Sequence, residues 1–234
     1  MEQPAHQAVL RGSNITPGTF RRPRLDVGKV IRKFLRHPVS ASRALMELLR
    51  GRLFLVGCRL RGVRVEGGRG LRIAGRLVAR GRGRLVLGRD VRIGMTVTPW
   101  THETDAVIRI GSNAFLNGTR LGCAREITIG DDCIIADARI MDTDFHSLRA
   151  DRHDPGAPVR VKPVRIGNNV FIGAQVGILP GTEVGANSVV GFGAVCSGTY
   201  PSDVLITGNP AAVAHSIPGA HGSPDPGAGG PRDA

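Results

Sequence analysis

The chain has 234 residues, 41% of them apolar, enough for one sizeable domain with extensions at its ends. Aromatic residues make up only 4% against 33 glycines, so the core must be built from small and branched aliphatic side chains, a composition that leans toward a repetitive β architecture. The formal charge of +13 suits nucleic acid, anionic lipid or polyanionic glycan, but a single Trp, a single Tyr and no helix-turn-helix or zinc-finger spacing argue against nucleic acid.

Residues 1 to about 26 are polar, with Pro, Gly and Arg and no continuous apolar core, so neither regular structure nor a secretory signal is expected there. From Gly28 to Arg50 a helical period appears. Val30, Ile31, Phe34 and Leu35 share a face, His37-Pro38 interrupts it, and Leu45, Leu48 and Leu49 resume it, with Ser40 as the expected N-cap and Gly51 as the expected stop. Lys29, Arg32, Lys33, Arg36, Arg43 and Arg50 flank the stripe. This is the pattern of a helix packed on the end of the main domain, or of a peripheral contact with an anionic membrane. No run reaches the roughly 18 apolar residues of a membrane span. The expected organisation is a basic, partly helical extension over 1–52, a main domain over 53–216 and a Gly/Pro-rich tail over 217–234.

From about Leu53 short alternations replace the helical period: Val63 and Val65, Leu71 and Ile73, Leu85 and Leu87. A six-residue register begins at Leu87 and Ile93, returns at Ile110 and Leu116, and again at Ile129, Ile135 and Met141. It becomes regular at Ile166, Ile172, Ile178, Val184, Val190 and Cys196, with Val170, Val176, Thr182, Ser188 and Ala194 each four places into a hexad. One branched side chain per short strand points inward, a small residue fills the corner, and Gly or Asn permits the turn. The prediction is an all-β solenoid in which three hexads make one triangular coil and coils stack at about 4.8 Å. Cys58, Cys123, Cys133 and Cys196 lack the paired spacing of a zinc or redox site and are expected as small buried residues.

The register is interrupted after Asp142-Thr143-Asp144-Phe145-His146-Ser147 by an inserted loop over about 147–163. Together with Ile166-Gly167-Asn168-Asn169-Val170-Phe171-Ile172-Gly173, Ile178-Leu179-Pro180-Gly181 and Gly208-Asn209-Pro210-Ala211, this segment resembles the maltose and galactoside O-acetyltransferase group of the hexapeptide-repeat family, and related acetyltransferases of bacterial surface polysaccharides. The resemblance covers roughly residues 85–216. It implies a left-handed parallel β-helix, a homotrimer and acetyl-CoA as acyl donor in the groove between subunits, while the scattered cysteines point to a reducing, cytoplasmic setting. It also implies His146 as general base, and an imidazole is suited to take the proton of a sugar hydroxyl at neutral pH. By the same resemblance the Ala174 N–H would hold the developing oxyanion and Asn117 would bind the acceptor. Asp142 or Asp144 would orient the imidazole, bind sugar hydroxyls, or open the loop as Asx turns.

Phe171, Phe192 and Ser197 occupy donor-site positions where relatives usually carry Trp, a small residue and Thr. Gly198 and Ala212-Val213-Ala214-His215 replace their basic residues, so the expected CoA-phosphate contacts are depleted. The loop arginines Arg149, Arg152 and Arg160 are candidates for contact with a carboxylated or phosphorylated sugar. Two other functions share this kind of solenoid. A γ-carbonic-anhydrase-like zinc enzyme would need His102, His146 and His153 as ligands, but the separation of seven between His146 and His153 does not match that group, and no metal is expected. The other is a non-catalytic scaffold binding a partner or a membrane.

Overall fold

The computed structural model describes residues 38–218. The stripe expected at residues 30–35, and most of the expected tail, lie outside them. Pro38–Leu60 forms α1. Proline is suited to the first helical turn, where its missing N–H would have no partner. Ser40, the expected cap, lies within that turn.

Two expectations for α1 are corrected. Gly51 does not stop the helix; it lies in its middle, where a Cβ would come 2.0 Å from the carbonyl oxygen of Leu71, so glycine lets the helix rest directly on the first coil. Nor does the helical period end at Leu53, because α1 continues to Leu60 and the strands begin only at Arg64. The actual stop is Gly62, at φ 70°: Gly62 N–H donates to Arg59 O at 3.3 Å and Val63 N–H to Cys58 O at 2.9 Å, the two bonds of a Schellman motif. The period is hard to read because α1 is apolar on two sides. Phe54, Leu55 and Cys58 cover the end of the solenoid core, while Leu45, Leu49, Leu53, Val56 and Leu60 form a second stripe that stays exposed.

Beyond α1 the chain winds as a parallel β-solenoid of about seven turns with three faces. The first face runs from Arg64–Gly67 to Thr199–Tyr200, the second from Arg72–Ile73 to Val204–Gly208, and the third from Arg76–Leu77 to Val195–Cys196. In the last coils Arg165 pairs with Glu183 and Phe171 with Val189, a repeat of eighteen residues or three hexads. Every six-spaced residue from Ile166 to Cys196 is buried, as are the corner residues Val170, Val176, Thr182, Ser188 and Ala194. Coil stacking turns the inward positions into columns; on the second face Ile73, Ile93, Leu116, Ile135, Ile172, Val190 and Ile206 lie in register. Burying each such side chain contributes about 1.5–3 kcal/mol.

One corner is built from Asp90, Asn113, Asp132, Asn169, Asn187 and Asp203, all at φ between 54° and 60°. Asn and Asp tolerate this left-handed conformation. Their side chains also form a ladder between coils, with Asn169 Nδ2 donating to Asn187 Oδ1 and Asn187 Nδ2 to Asp203 Oδ1, each at 3.0 Å.

The expected register fails at Met141. The buried residue of Arg139–Met141 is Ile140, five residues after Ile135, because the corner at Asp137 is one residue shorter than the later corner at Ala174-Gln175. Met141 therefore points outward. The chain then leaves the solenoid until Val164, and the loop is closed at its base by an antiparallel bridge between Thr143 and Val161. At the far end Ala211–Ser216 folds back antiparallel on Val204–Gly208, covering the edge of the second face.

Candidate active site

The loop and the outside of the third face enclose a cleft of about 790 Å3, with Trp100, Arg120, Gly122 and Met141 on the solenoid side and Phe145 and His146 on the loop side. Phe145 holds the loop against the coil. Its backbone is at φ 60°, unusual for a bulky residue, and its N–H donates to Thr143 Oγ1 at 3.1 Å. Its ring lies over Gly122, where a Cβ would come 2.5 Å from Cζ, so glycine lets the ring rest directly on the coil and a larger residue would displace it.

Phe145 also closes an aromatic stack. The His102 ring lies 4.2 Å from Trp100 and 4.6 Å, edge-on, from Phe145. His102 Nε2 is buried without a hydrogen-bond partner among the described residues. Burial pushes the His102 pKa below the ordinary histidine value, opposed in part by the charges of Asp142 and Glu103.

His146 is exposed at the mouth of the cleft and also borders a second cavity of about 510 Å3 with Ser147, Leu148, Arg152 and His153. Its backbone N–H donates to Asp144 O at 2.7 Å, while neither ring nitrogen has a hydrogen-bond partner among the described residues. Both imidazole positions are thus free to meet a ligand.

Neither aspartate touches that imidazole. Asp142 is fully buried and accepts the N–H groups of Ala124, Arg125 and Glu126, each at 2.7 Å, and the Cys123 thiol at 3.4 Å. It ties the start of the loop to the corner of the preceding coil, so the expectation that it meets a sugar or the imidazole gives way to a structural role. The same carboxylate and burial hold the Cys123 thiol far above its usual range, with burial the larger cause. Asp144 forms a two-point ion pair with Arg160 at 3.0 and 3.1 Å across the base of the loop. Arg149 pairs with Asp151 at 3.0 Å. Of the three loop arginines expected to meet an anionic sugar, two are held by carboxylates of the loop itself.

The remaining candidates lie elsewhere in the single chain. Asn117 Oδ1 accepts Met95 N–H at 2.8 Å at the end of the second face. Phe171 and Phe192 are outward, the latter 71% exposed. The Ala174 N–H enters no hydrogen bond among the described residues, and the Ser197 N–H donates to Tyr200 Oη at 3.3 Å. None of these five residues lines the cleft beside His146. His102, His146 and His153 do not converge either, and no three His, Cys, Asp or Glu side chains among the described residues are grouped as metal ligands would be.

Sequence reasoning missed Arg80, Trp100, Arg120 and Met141. The signal was available for Trp100: in Thr96–Thr101 burial alternates, so the only tryptophan of the chain stands on an outward position where core packing does not call for it.

Comparison with known proteins agrees with this architecture. The galactoside O-acetyltransferase of Escherichia coli (strain K12) is 33% identical over 111 residues, covering 47% of this chain and 54% of that protein. The putative lipopolysaccharide biosynthesis O-acetyl transferase WbbJ of the same strain is 31% identical over 117 residues, covering 46% and 59%. The chain thus spans about half the length of the curated relatives it matches. Among solved structures, AntD, an N-acyltransferase from Bacillus cereus in complex with dTDP and 3-hydroxybutyryl-CoA, superposes with a TM-score of 0.56 at 20% identity over 68% of this chain and 87% of that one, which establishes a common fold. Residues 163–198 match the family described as bacterial transferase hexapeptide (six repeats). The solenoid thus has the architecture of a left-handed parallel β-helix of hexapeptide repeats, and its last coils are similar to that family of bacterial transferases.

Proposed function

We propose that the protein is an acetyl-CoA-dependent O-acetyltransferase acting on a hydroxyl of a sugar or of a polysaccharide or glycolipid precursor. The observation that carries this reading is the exposed, unpartnered imidazole of His146 at the mouth of a cleft beside the loop, in a chain similar to sugar O-acetyltransferases. His146 takes the proton of the acceptor hydroxyl as its oxygen attacks the thioester carbonyl. The oxyanion that forms is held by backbone N–H groups, for which the free Ala174 N–H is the candidate. Collapse breaks the C–S bond, and the thiolate of CoA leaves with the proton carried by His146.

On this reading the enzyme is a homotrimer, and Asn117, Phe171, Ala174, Phe192 and Ser197 meet substrate only where a neighbouring subunit completes the site. A screen of sugar acceptors with acetyl-CoA, scored by thiol release, tests it together with equilibrium binding of acetyl-CoA. Turnover with at least one sugar is expected; no binding at millimolar acetyl-CoA would overturn it.

The exposed stripe of α1 supports a site of work at the inner face of the cytoplasmic membrane. No described helix is long and apolar enough to cross a membrane. Leu45, Leu49, Leu53, Val56 and Leu60 face away from the solenoid, with Arg52 and Arg59 on one flank and Arg43 and Arg50 on the other, the charge arrangement that suits an anionic lipid surface. Co-sedimentation with phosphatidylglycerol vesicles, and not with phosphatidylcholine vesicles, is expected, and a Leu49→Glu, Leu53→Glu double variant should lose it. Equal sedimentation of variant and parent would contradict the assignment.

A further inference from the structure

The charged side chains that line the cleft are all cationic. Arg80, Arg120 and Arg139 line it and no acidic side chain does. Arg139 leans on Asp137 at 3.2 Å, whereas Arg80 and Arg120 have no acidic partner among the described residues. Their arrangement follows from register. Arg80 pairs with Trp100 and Arg120 with Thr98, so the two arginines stand one coil to either side of the strand that carries the tryptophan, about 10 Å apart along the solenoid axis. Arg120 also lies directly opposite Arg139 in the next coil. Like charges facing each other in a sheet are unfavourable, and an anion between the coils relieves them. Between the arginines Trp100 remains 47% exposed, a broad apolar surface whose other neighbour is the His102 ring.

We propose that this wall of the cleft is the acceptor subsite and that it selects sugars carrying a carboxylate or a phosphate ester, with the sugar ring against Trp100 and the anion held by Arg80 and Arg120. The inference rests on the acetyltransferase reading for its role, though not for the binding itself. A planar guanidinium takes a carboxylate or phosphate oxygen pair in two parallel hydrogen bonds, while the tryptophan supplies contact without charge. His146 stands across the same cleft, so a sugar bound here presents its hydroxyls to the proposed base. The phosphates of CoA are the other possible source of such an anion. Two observations favour the acceptor: Arg80, Trp100 and Arg120 belong to coils before the loop, whereas the donor candidates Ala174, Phe192 and Ser197 lie on coils after it and do not line this cleft.

Because Trp100 is the only tryptophan, intrinsic fluorescence of the full chain reports directly on this wall. Titration with glucose 6-phosphate and with galacturonate, against glucose and galactose as neutral counterparts, is expected to give a saturable change for the charged sugars only. The Arg80→Gln, Arg120→Gln double variant should weaken that response about tenfold or more. In the thiol-release assay, kcat/KM for charged over neutral acceptors should fall by about the same factor in the double variant, through KM, while the acetyl-CoA Kd stays within about twofold of the parent.

Equal responses to charged and neutral sugars would overturn the proposal and leave acetyl transfer standing. A weakened acetyl-CoA Kd with unchanged acceptor KM would overturn it in favour of the donor phosphates. A charge-dependent fluorescence change without thiol release would support the anion subsite while removing the acetyltransferase reading.

Discussion

At the residue scale the site is organised by side chains that do no chemistry. Asp142 sits four residues before His146 and resembles a catalytic partner in sequence, yet its carboxylate is consumed by the corner at residues 123–126. Asp142→Ala leaves three partly buried backbone N–H groups without their acceptor, and at about 1 kcal/mol for each the expected loss is about 3 kcal/mol, read from urea unfolding. A loss below about 1 kcal/mol would show that water replaces the carboxylate. His102 gives a pH-dependent prediction. Burial lowers its pKa in the folded chain, so as pH falls the unfolded chain binds the proton first. The stability it contributes is present above the unfolded value near 6.5 and is lost as pH falls from there through the lower folded value. Between about pH 7.5 and 5.5 the parent should lose more stability than His102→Phe, and parallel losses would contradict this account.

At the scale of elements, α1 shows what a single sequence hides. A glycine after a helical run reads as a stop, but Gly51 is required by contact with Leu71 and Gly62 is the residue that turns the chain. The two glycines within α1 should respond oppositely to alanine. At Gly57 the new Cβ meets only Arg61 Nη2 at 3.7 Å, so Gly57→Ala should stabilise by up to about 1 kcal/mol through helix propensity. Gly51→Ala must lift the helix from the first coil and should cost about 1–3 kcal/mol. Thermal unfolding of the two variants separates these effects; equal stabilisation would mean that α1 does not rest on the solenoid. The inserted loop was visible as a break in the register, but its closure was not, because the Asp144–Arg160 pair and the Phe145–Gly122 contact join residues that no short-range pattern connects.

At the scale of the molecule, the six-residue ladder was legible because each hexad meets the same environment in every coil, and the columns from Ile73 to Ile206 follow from that repetition. Deviations were legible only where they broke the count. The short corner at Asp137, which turns Met141 outward into the cleft, changes the count by a single residue within an otherwise regular run. His146 and the loop were found from resemblance, whereas the wall formed by Arg80, Trp100 and Arg120 depends on coil registers of about twenty residues that the early, irregular repeats conceal. On the proposed reading this loop and wall serve acyl transfer through His146. Its most direct test is acetyl-CoA-dependent thiol release with the best sugar acceptor, measured for the parent chain and for His146→Ala with unchanged far-UV circular dichroism. A fall of about 10²- to 10⁴-fold in kcat with acetyl-CoA binding retained is expected; turnover undiminished in the variant would remove His146 as the base.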